Sequence, residues 1–501
     1  MDFRQNKKLV KQKTQTIPTK NSRKTINDLS DDELLVLFSF LDLRNQFIVR
    51  RVCIRWRILM RYVLNSKQSL SFVNDTELLN NWRYDRWFEV IPAFKQYTKV
   101  RFNCVNSSLN KILSLCPNLK DLDMECYDMN TQTIKTIATK CPNLERINFD
   151  SSNGFSWHLA NHLAQDFQKL KIVNLSCVSK ISETFVTKLL QSLTQLIALN
   201  LCGTDITGQC LSLLSPNMSH LNVSYCWNLE RVGLMALTQS KCETLKELVV
   251  NNFNFDTQSA NECLSTICAK FSQLRRLEMS LGPCTQQSFY LNSLHYFGLS
   301  SIARLKQLEV LIIRKICVLD DNSLRDILFG CFLLKELVID MYSESTVTDL
   351  SISYVANCSR LEVLEMSHNK QISAQTLRQV IRRLSKLRSL SLRFTNADND
   401  VVSTAVSYCP HLRSICLNGC PQISRNSLLA FIESAKTVVS QKFEFTAISS
   451  GIESASIYTK NNSRICDIPT NLEFKVSTGR TRQYLWFDSG RFYYSRNPKF
   501  L

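Results

Sequence analysis

Residues 141–149 read Cys-Pro-Asn-Leu-Glu-Arg-Ile-Asn-Phe, residues 358–366 read Cys-Ser-Arg-Leu-Glu-Val-Leu-Glu-Met, and residues 409–417 read Cys-Pro-His-Leu-Arg-Ser-Ile-Cys-Leu. The three stretches share apolar side chains at their fourth, seventh and ninth positions. This L-x-x-L-x-L pattern recurs twelve times between Leu119 and Leu417, with 22 to 34 residues between successive first positions and an average of about 27. A register of this length indicates an array of structural repeats.

The spacing within one repeat predicts a strand followed by a helix. The last two apolar positions alternate as on a β-strand, whereas Ile134, Ile137 and Cys141 follow at helical spacing. Several helical segments are preceded by a hydroxyl side chain that could cap the helix, namely Ser182, Thr207, Ser373 and Ser424. One such unit cannot bury its apolar side alone, so we expect an α/β solenoid with a parallel sheet inside and helices outside.

Cysteines recur at one position of the repeat, at Cys116, Cys141, Cys331, Cys358 and Cys409. With them the array resembles the leucine-rich repeats of the cysteine-containing type, and we expect about 12 to 13 repeats over residues 97–435. Repeated single cysteines without a C-x-x-C pair behave as small buried hydrophobic groups. We therefore expect reduced thiols, no metal site and no cofactor.

Composition excludes several classes of protein. The chain has 501 residues, 44% hydrophobic and 21% charged, which is typical of folded proteins. The net charge is +18, but most of the excess lies in residues 1–25, expected to be a disordered basic tail, and in residues 456–501. The charge between them is too dilute for a dedicated nucleic-acid surface. We expect no signal peptide and no membrane span, hence a soluble protein in the cytoplasm, the nucleus or both.

A second kind of segment precedes the array. Residues 26–64 contain a helix start near Ser30 and Asp31, followed by Leu34, Leu35 and Phe38 at helical spacing. A second apolar stripe around Val52 and Trp56 is studded with arginines. So short a module cannot easily bury all of this apolar surface, which favours a docking function.

The motifs of this segment resemble the F-box. Its pattern of L-P-x-E-L-L, I-F-S-F-L-D and V-C-x-x-W is matched here by Leu29-Ser30, Glu33-Leu34-Leu35, Phe38-Ser39-Phe40-Leu41-Asp42 and Val52-Cys53-x-x-Trp56. Ser30 replaces the usual proline, a departure that could weaken the contact with the adaptor. An F-box followed by leucine-rich repeats is the arrangement of the F-box leucine-rich-repeat family, and the resemblance covers residues 26 to about 435.

The resemblance implies a non-catalytic substrate-recognition subunit of an SCF-type E3 ubiquitin ligase. The F-box would bind a Skp-type adaptor and, through it, the cullin and RING subunits, while the repeats would bind a protein substrate. The residues that the resemblance assigns to adaptor binding are Leu29, Ser30, Leu34, Leu35, Phe38 and Trp56. The alternatives are a helical cap on the solenoid or a ligase-independent leucine-rich-repeat scaffold or inhibitor.

An enzyme is not expected from the residues. His158 and His162 share a helix face, but the glutamate that a zinc protease places after its first histidine is missing. Glycine is also too scarce, at 11 residues, to form a phosphate-binding loop.

A substrate surface is expected on the concave face of the sheet. The residue between the last two apolar positions of each repeat points there, and Asn148, Asn174, Asn200 and Asn222 give way to valine and isoleucine further along. The predicted substrate-binding residues are the apolar Val249, Val310, Ile312, Val338 and Val363, bordered by Arg314, Asp340 and Arg393.

Three other segments lie outside the regular repeats. The interval between Leu274 and Leu308 contains an insertion marked by Gly282-Pro283, which could contact a partner. Residues 436–501, with a predicted β-hairpin around Trp486 and Phe487, are expected to form either a cap on the last repeat or a tail that covers the apolar patch. Residues 65–96, rich in tryptophan and phenylalanine, are expected to link the F-box to the array and to close the array's N-terminal end.

Overall fold

The computed structural model describes residues 25–67, 69–71, 97–103, 113–114, 116–125, 129–155, 157–178, 181–253, 257–281, 297–314, 319–340, 347–436, 442–448, 450 and 472–477. Its contacts divide the chain into two compact units, Met1–Gln96 and Tyr97–Leu501. The expectations for the basic tail, for the aromatic residues between 72 and 96, for Gly282-Pro283 and for the hairpin around Trp486 lie outside the described residues.

The first unit is helical. Its described residues form a 3₁₀ turn (Ile26–Asp28), the helices α1 (Asp31–Ser39), α2 (Leu43–Val49) and α3 (Ile54–Ser66), and the short strand β1 (Ser69–Ser71). Ser30 caps α1 as expected, because its hydroxyl accepts from the Glu33 backbone N–H at 3.2 Å while its own N–H donates to the Glu33 carboxylate at 2.7 Å. A serine therefore serves as the N-cap at the position where the F-box pattern has proline.

One cluster of apolar side chains holds the helical unit together. Leu34 and Phe38 of α1 pack against α3, where the Phe38 and Trp56 rings meet edge to face with centroids 5.1 Å apart. The buried Gln46 amide of α2 donates to the backbone carbonyls of Phe38 and Leu41. The cluster consists of Leu34, Phe38, Trp56, Leu59, Met60 and Val63.

The second unit is an α/β leucine-rich-repeat solenoid. Its parallel strands pair one after another in chain order, as the sequence predicts. The twelve predicted strands correspond to β3–β14. The strands are β2 (Lys99–Asn103), β3 (Asp121–Glu125), β4 (Arg146–Asn148), β5 (Ile172–Asn174), β6 (Ala198–Asn200), β7 (His220–Asn222), β8 (Glu247–Phe253), β9 (Arg276–Leu281), β10 (Val310–Arg314), β11 (Glu336–Asp340), β12 (Val363–Ser367), β13 (Ser389–Ser391), β14 (Ser414–Cys416), β15 (Phe443–Ile448) and β16 (Leu472–Ser477).

Helical segments connect most of these strands, and successive helices pack side by side. The 22-residue repeat between Leu196 and Met218 is too short for a full helix and has a 3₁₀ segment, Gln209–Leu213, in its place. Two further 3₁₀ segments are Ser301–Arg304 and Ser353–Asn357. The α-helices are α4 (Thr131–Lys140), α5 (Trp157–Asp166), α6 (Glu183–Ser192), α7 (Arg231–Gln239), α8 (Thr257–Lys270), α9 (Phe297–Ser300), α10 (Asp321–Gly330), α11 (Asp349–Ile352), α12 (Ala374–Ile381), α13 (Asn399–Tyr408) and α14 (Arg425–Lys436).

The array extends beyond the boundary expected at residue 435. Strand β15 pairs in parallel with β14, and β16 pairs in parallel with β15 over six residues. Phe443 and Phe445 of β15 are buried against Phe431 of α14, so aromatic side chains take over the core positions of the leucines here. This replacement hides the continuation from a search for the leucine pattern.

The repeated cysteines fill the core, as predicted. Cys116, Cys141, Cys331, Cys358 and Cys409 are all buried. Each of three thiols lies near a backbone carbonyl of the preceding repeat; Cys331 Sγ, for example, is 3.3 Å from the Ile302 oxygen. Burial raises the pKa of the Cys116, Cys141 and Cys331 thiols to about 12, so they stay protonated at neutral pH.

Side chains at helix starts link one repeat to the next. The Glu183 carboxylate at the start of α6 accepts from the backbone N–H groups of Thr207 at 2.7 Å, Gly208 at 3.0 Å and Cys210. Asp321 of α10 likewise accepts from Thr348 and Ser351. Of the four hydroxyls predicted to cap helices, those of Ser182 and Ser373 accept from the backbone N–H three residues later, and that of Ser424 accepts from the Asn426 N–H at 3.3 Å. The 3₁₀ segment after Thr207 has Gly208 as its N-cap residue and no side-chain cap.

Among the described residues, no helix has the length and apolar character needed to span a lipid bilayer.

We predict that these inter-repeat carboxylates make stability depend on acid pH. Burial by itself would raise the pKa of Glu183, but the N–H groups of Cys210, Gly208 and Thr207 outweigh it and hold the pKa below its ordinary value of 4.5. A pKa that is lower in the folded state means that the stabilisation is present above pH 4.5 and is lost as the pH falls through the folded value. Glu183→Gln should cost about 1 to 2 kcal/mol at pH 7 and less below pH 4. Urea unfolding at both pH values measures this difference, and a cost that does not change with pH would contradict it.

We also predict that the buried thiols act by packing alone. The melting temperature should then be the same with EDTA, with a reductant and with neither, because a protonated buried thiol neither binds metal nor needs a disulfide. Differential scanning calorimetry measures it. A fall of several degrees in EDTA would point to a metal site instead.

Candidate functional site

The sheet face opposite the helices, which we call the open face, carries the predicted substrate-binding residues. In each strand the residue between the two buried apolar positions points to it, since successive side chains alternate. The parallel register aligns these residues in one row; Ile312, for example, lies between Glu278 and Val338. From β3 to β14 the row is Asp123, Asn148, Asn174, Asn200, Asn222, Val249, Glu278, Ile312, Val338, Glu365, Ser391 and Cys416.

The apolar part of this row is not exposed. Val249 is 6% exposed, Ile312 4% and Val338 2%, whereas Val310 and Val363 are half-buried. The exposed apolar patch expected from the sequence is therefore absent at the three central positions. Their burial makes them part of the packed structure, and the accessible groups around them are charged.

Long charged side chains span the strands beside these buried residues. Arg314 of β10 lies 3.6 Å from Glu365 of β12, so this ion pair crosses the intervening strand β11, which carries Val338. Arg276 of β9 lies 4.0 Å from Glu336 of β11 and crosses β10 in the same way. The aliphatic stems of arginine side chains cover apolar surface while their charged ends remain in water. Both ion pairs therefore span strands whose central residues, Ile312 and Val338, are buried.

Asp340 lies at the centre of a charged cluster, which consists of Arg314, Asp340, Glu365, His368 and Arg393. Its carboxylate lies 2.8 Å from His368 Nδ1 and 3.8 Å from Arg393, which also lies 3.5 Å from Glu365. Burial would raise the pKa of Asp340, but the hydrogen bond from His368 and the positive charges of His368, Arg393 and Arg314 hold it below its ordinary value. Three of the predicted residues, Arg314, Asp340 and Arg393, are thus brought together in one network with Glu365 and His368.

Left-handed backbone at the ends of the strands places aromatic rings beside this network. His368 and Phe394 have φ angles of 61° and 55°, and their rings stack with centroids 4.5 Å apart. Each residue also donates its N–H to the next repeat, His368 to Arg393 O and Phe394 to Asn418 O, both at 2.8 Å. Gly419 follows in the row, and a Cβ there would lie 2.2 Å from the Phe394 ring. The glycine therefore leaves room for the stacked pair.

The sequence analysis missed these aromatic residues, although a signal for them exists. Ser151, Cys177, Gly203 and Tyr225 also have positive φ and donate their N–H to the next repeat, three residues after the central position of the strand. That constant offset could have marked His368 and Phe394 as members of one row.

The four consecutive asparagines of the central row have a structural role. The side-chain oxygens of Asn148, Asn174, Asn200 and Asn222 each accept from the backbone N–H two residues later, at 2.9 to 3.1 Å. Asn174 and Asn200 are also buried. These amides fix the turn that ends each strand, which explains why asparagine recurs there.

Glu278 of β9 has polar neighbours of its own, and Tyr225 and Trp227 lie in the same part of the array. The Asn251 amide donates to Glu278 at 2.9 Å, and Arg276 contacts the same carboxylate at 2.8 Å. Burial raises the pKa of Tyr225, with Cys202 and Glu278 acting in the same direction and Arg314 against them. Trp227, 61% exposed, packs edge to face with Tyr225, and the sequence analysis did not single it out.

The predicted adaptor-binding residues divide into core and surface. Leu34, Phe38 and Trp56 are buried in the helical unit, so they cannot form a contact surface in this conformation. Leu29 and Leu35 are half-buried, and Ser30 is exposed but engaged in its cap. The exposed apolar residues of the helical unit are instead Ile26, Val36, Leu37, Phe40, Ile48, Val52, Ile54, Ile58 and Tyr62.

His158 and His162 of α5 are the histidine pair that the sequence offers. His162 lies 3.5 Å from Asp166, one turn along the helix, and the His158 side chain lies outside the described residues. Within the residues that the structure describes, no group of three or more histidine, cysteine or acidic side chains could hold a metal ion.

No protein-family model matches the chain. A Caenorhabditis elegans protein, EEED8.10, described as a candidate RNA-binding protein, is 21% identical over 328 residues, which are 65% of this chain and 39% of that protein. The chain thus matches well under half of this relative's length. Among solved structures, an internalin from Listeria monocytogenes is 14% identical with a TM-score of 0.39, covering 80% of this chain and 95% of the internalin. A chain of the yeast Rad7 and Elc1 complex is 14% identical with a TM-score of 0.37, covering 64% and 88%.

We predict that Val338→Asp destabilises the repeats, even though Val338 faces the open side of the sheet. A carboxylate there would be buried without a hydrogen-bond donor of its own, which should cost about 2 to 4 kcal/mol. The matched control is Ser391→Asp, which introduces the same carboxylate in the same row at a half-buried position. Chemical denaturation followed by circular dichroism compares the two, and equal stabilities would mean that Val338 is accessible to solvent.

Proposed function

We propose that this chain is the substrate-recognition subunit of an SCF-type E3 ubiquitin ligase, with the helical unit binding a Skp-type adaptor and the repeats binding a protein substrate. The observation that carries the proposal is the surface of the helical unit. Its own core is complete, yet Phe40 remains 82% exposed and Ile54 71% exposed. A small module that exposes so much apolar surface is typical of a docking element.

The exposed side of helix α3 has the pattern of a contact surface. Ile54, Ile58 and Tyr62 lie four residues apart and so form one stripe on the helix, about half or more exposed, while Leu59 and Met60 face the core. Apolar and aromatic side chains in such a stripe supply most of the binding energy when a helix docks. This stripe is the surface on which the adaptor proposal rests.

Positive charge accompanies the stripe. Arg50 lies at the end of α2, and its pKa is lowered first by burial and then by the neighbouring Arg57, Arg51 and Arg61. These four arginines make this corner of the unit strongly basic. An adaptor with acidic groups beside its apolar groove would complement it.

The repeats supply the substrate surface of the proposal. The cluster of Arg314, Asp340, Glu365, His368 and Arg393 presents both signs of charge next to the stacked Phe394 ring. Such a surface suits recognition of a protein partner with complementary charges around an aromatic or apolar contact. We place substrate binding on this cluster rather than on Ile312 and Val338, because those two are buried.

In this proposal the chain performs no chemistry. Ubiquitin transfer would take place on the cullin and RING subunits that the adaptor brings, in the cytoplasm, the nucleus or both. The alternative is a leucine-rich-repeat scaffold or inhibitor that acts without the ligase. Both functions use the repeats for binding, so the helical unit distinguishes them.

We predict that Ile54→Asp with Ile58→Asp abolishes association with a Skp-type adaptor while both units stay folded. The two side chains are exposed, so the change should weaken binding by more than about tenfold without removing core contacts. Affinity capture of the full chain, followed by detection of adaptor and cullin, measures the effect.

Two further variants complete this experiment. Val232→Asp makes the same kind of change at a 60% exposed position of α7 in the repeats and should leave capture unchanged. Leu34→Ala with Phe38→Ala should also abolish capture, but by unfolding the helical unit, which circular dichroism would reveal. Recovery of adaptor and cullin at the original level with Ile54→Asp and Ile58→Asp would exclude the ligase function and leave the scaffold.

A further inference from the structure

A row of mostly charged side chains runs along the edge of the sheet where the strands begin. It consists of the residue immediately before each strand from β3 to β14, namely Lys120, Glu145, Lys171, Ile197, Ser219, Lys246, Arg275, Glu309, Lys335, Glu362, Arg388 and Arg413. We call it the edge row. Neighbours alternate in sign over much of its length and form ion pairs.

The ion pairs join adjacent repeats. Glu145 lies 3.2 Å from Lys120 and 2.9 Å from Lys171, and Glu309 lies 3.7 Å from Arg275 and 2.5 Å from Lys335. Glu362 and Arg388 continue the pattern at 3.0 Å. A positive charge in this row is therefore matched by an acid in a neighbouring repeat at Lys120, Lys171, Arg275, Lys335 and Arg388, whereas Arg413 at the end of the row follows Arg388 and donates to the Pro410 and Leu412 carbonyls.

The alternation breaks between Lys171 and Lys246. The two positions between them hold Ile197, 37% exposed, and Ser219, which is buried. Lys246 is exposed and forms no ion pair within the described residues, and its neighbour on the other side is Arg275, which has the same charge. The nearby carboxylates of Glu145 and Glu247 are taken up by Lys171 and His220.

A groove lies at this break. Its volume is about 490 Å³, and its walls combine the two lysines with uncharged hydrogen-bonding groups. Ile197 provides an apolar contact in it. The lining residues are Lys171, Gln195, Ile197, Asn217, Ser219, Thr244 and Lys246.

We propose that this groove binds an extended acidic segment of a partner protein, with one carboxylate on Lys246, a second on Lys171, which shares the single Glu145 carboxylate with Lys120, and the side-chain amides of Gln195 and Asn217 on the backbone between them. Lys171 and Lys246 precede β5 and β8, three strand spacings apart, which is roughly 14 Å. An extended chain advances about 3.3 Å per residue, so the two acidic residues lie about four positions apart. The segment supplies the negative charge that the edge row lacks at this point.

The lining favours a peptide over a nucleic acid. Sites for single-stranded nucleic acid pair a continuous positive track with aromatic rings on which bases stack. The groove has a lysine at either end, amides and a hydroxyl between them, and an aliphatic side chain in the middle. Amide groups that both donate and accept suit the backbone of an extended peptide.

The test is fluorescence anisotropy with the purified full chain and a fluorescein-labelled peptide, Gly-Gly-Asp-Val-Thr-Val-Asp-Gly-Gly. We expect saturable binding with a Kd below about 1 mM that weakens as NaCl is raised. Lys246→Glu should weaken it at least about tenfold, because a charge-assisted contact is replaced by a repulsion. The matched control, Lys335→Glu, lies in the same row away from the groove and should leave the Kd within about twofold.

Three results would overturn the proposal. They are the absence of saturable binding, equal losses in the Lys246→Glu and Lys335→Glu variants, and equally tight binding of an isomer peptide with its two aspartates adjacent. A labelled oligouridine decamer tests the nucleic-acid reading, and tighter Lys246-dependent binding of it than of the peptide would also reject the proposal. Lys246 and Lys335 are both exposed, so neither substitution removes core packing, and a melting curve of each variant checks that it is folded. The assay contains no adaptor, so its outcome is independent of the ligase proposal.

Discussion

Every feature of the repeat unit depends on one constraint, namely that a single strand and helix cannot bury their apolar side without a neighbour. The strands therefore pair in parallel, in fixed register and in chain order. Hydrogen-bonding groups that one repeat cannot satisfy find their partners in a neighbouring repeat. The carboxylate of Glu183 completes the turn that follows in the next repeat, and the Cys331 thiol lies against a carbonyl of the preceding one. Stability is thus shared between neighbours, and a change at one of these contacts acts on two repeats at once.

The same constraint determines what the open face can present. A strand of three to five residues leaves two or three side chains on that face, and its neighbours stand about 4.8 Å away on each side. The central residues Ile312 and Val338 are buried, and long charged side chains span the strands that carry them. Arg314 and Arg393 reach across a whole strand to Glu365 and Asp340, so the surface that a partner meets is an array of ion pairs with an aromatic edge. Recognition on such a face depends on charge pattern more than on apolar area.

The fold of the repeats could be predicted from the sequence, because buried leucines recur at a constant spacing and stacked repeats account for that spacing. The twelve strands and the cysteine positions followed from that period. The exposure of Ile312 and Val338 could not be predicted, since alternation tells which way a side chain points but not whether the side chains two strands away cover it. The end of the array was also misplaced, because Phe443 and Phe445 fill core positions that the leucine pattern leaves unmatched.

Three of the six residues predicted to bind the adaptor, Leu34, Phe38 and Trp56, belong to the core of the helical unit. The residues free to meet another protein, such as Phe40 and Ile54, are those that the core does not need. In a module this small, buried and exposed apolar residues alternate along each helix, so the sequence pattern predicts the helices while burial shows which side chains lie on the surface. In the repeats, most charged residues of the edge row form ion pairs that join adjacent repeats. Lys246 forms no such pair within the described residues, and this difference from its neighbours is what suggests a binding role.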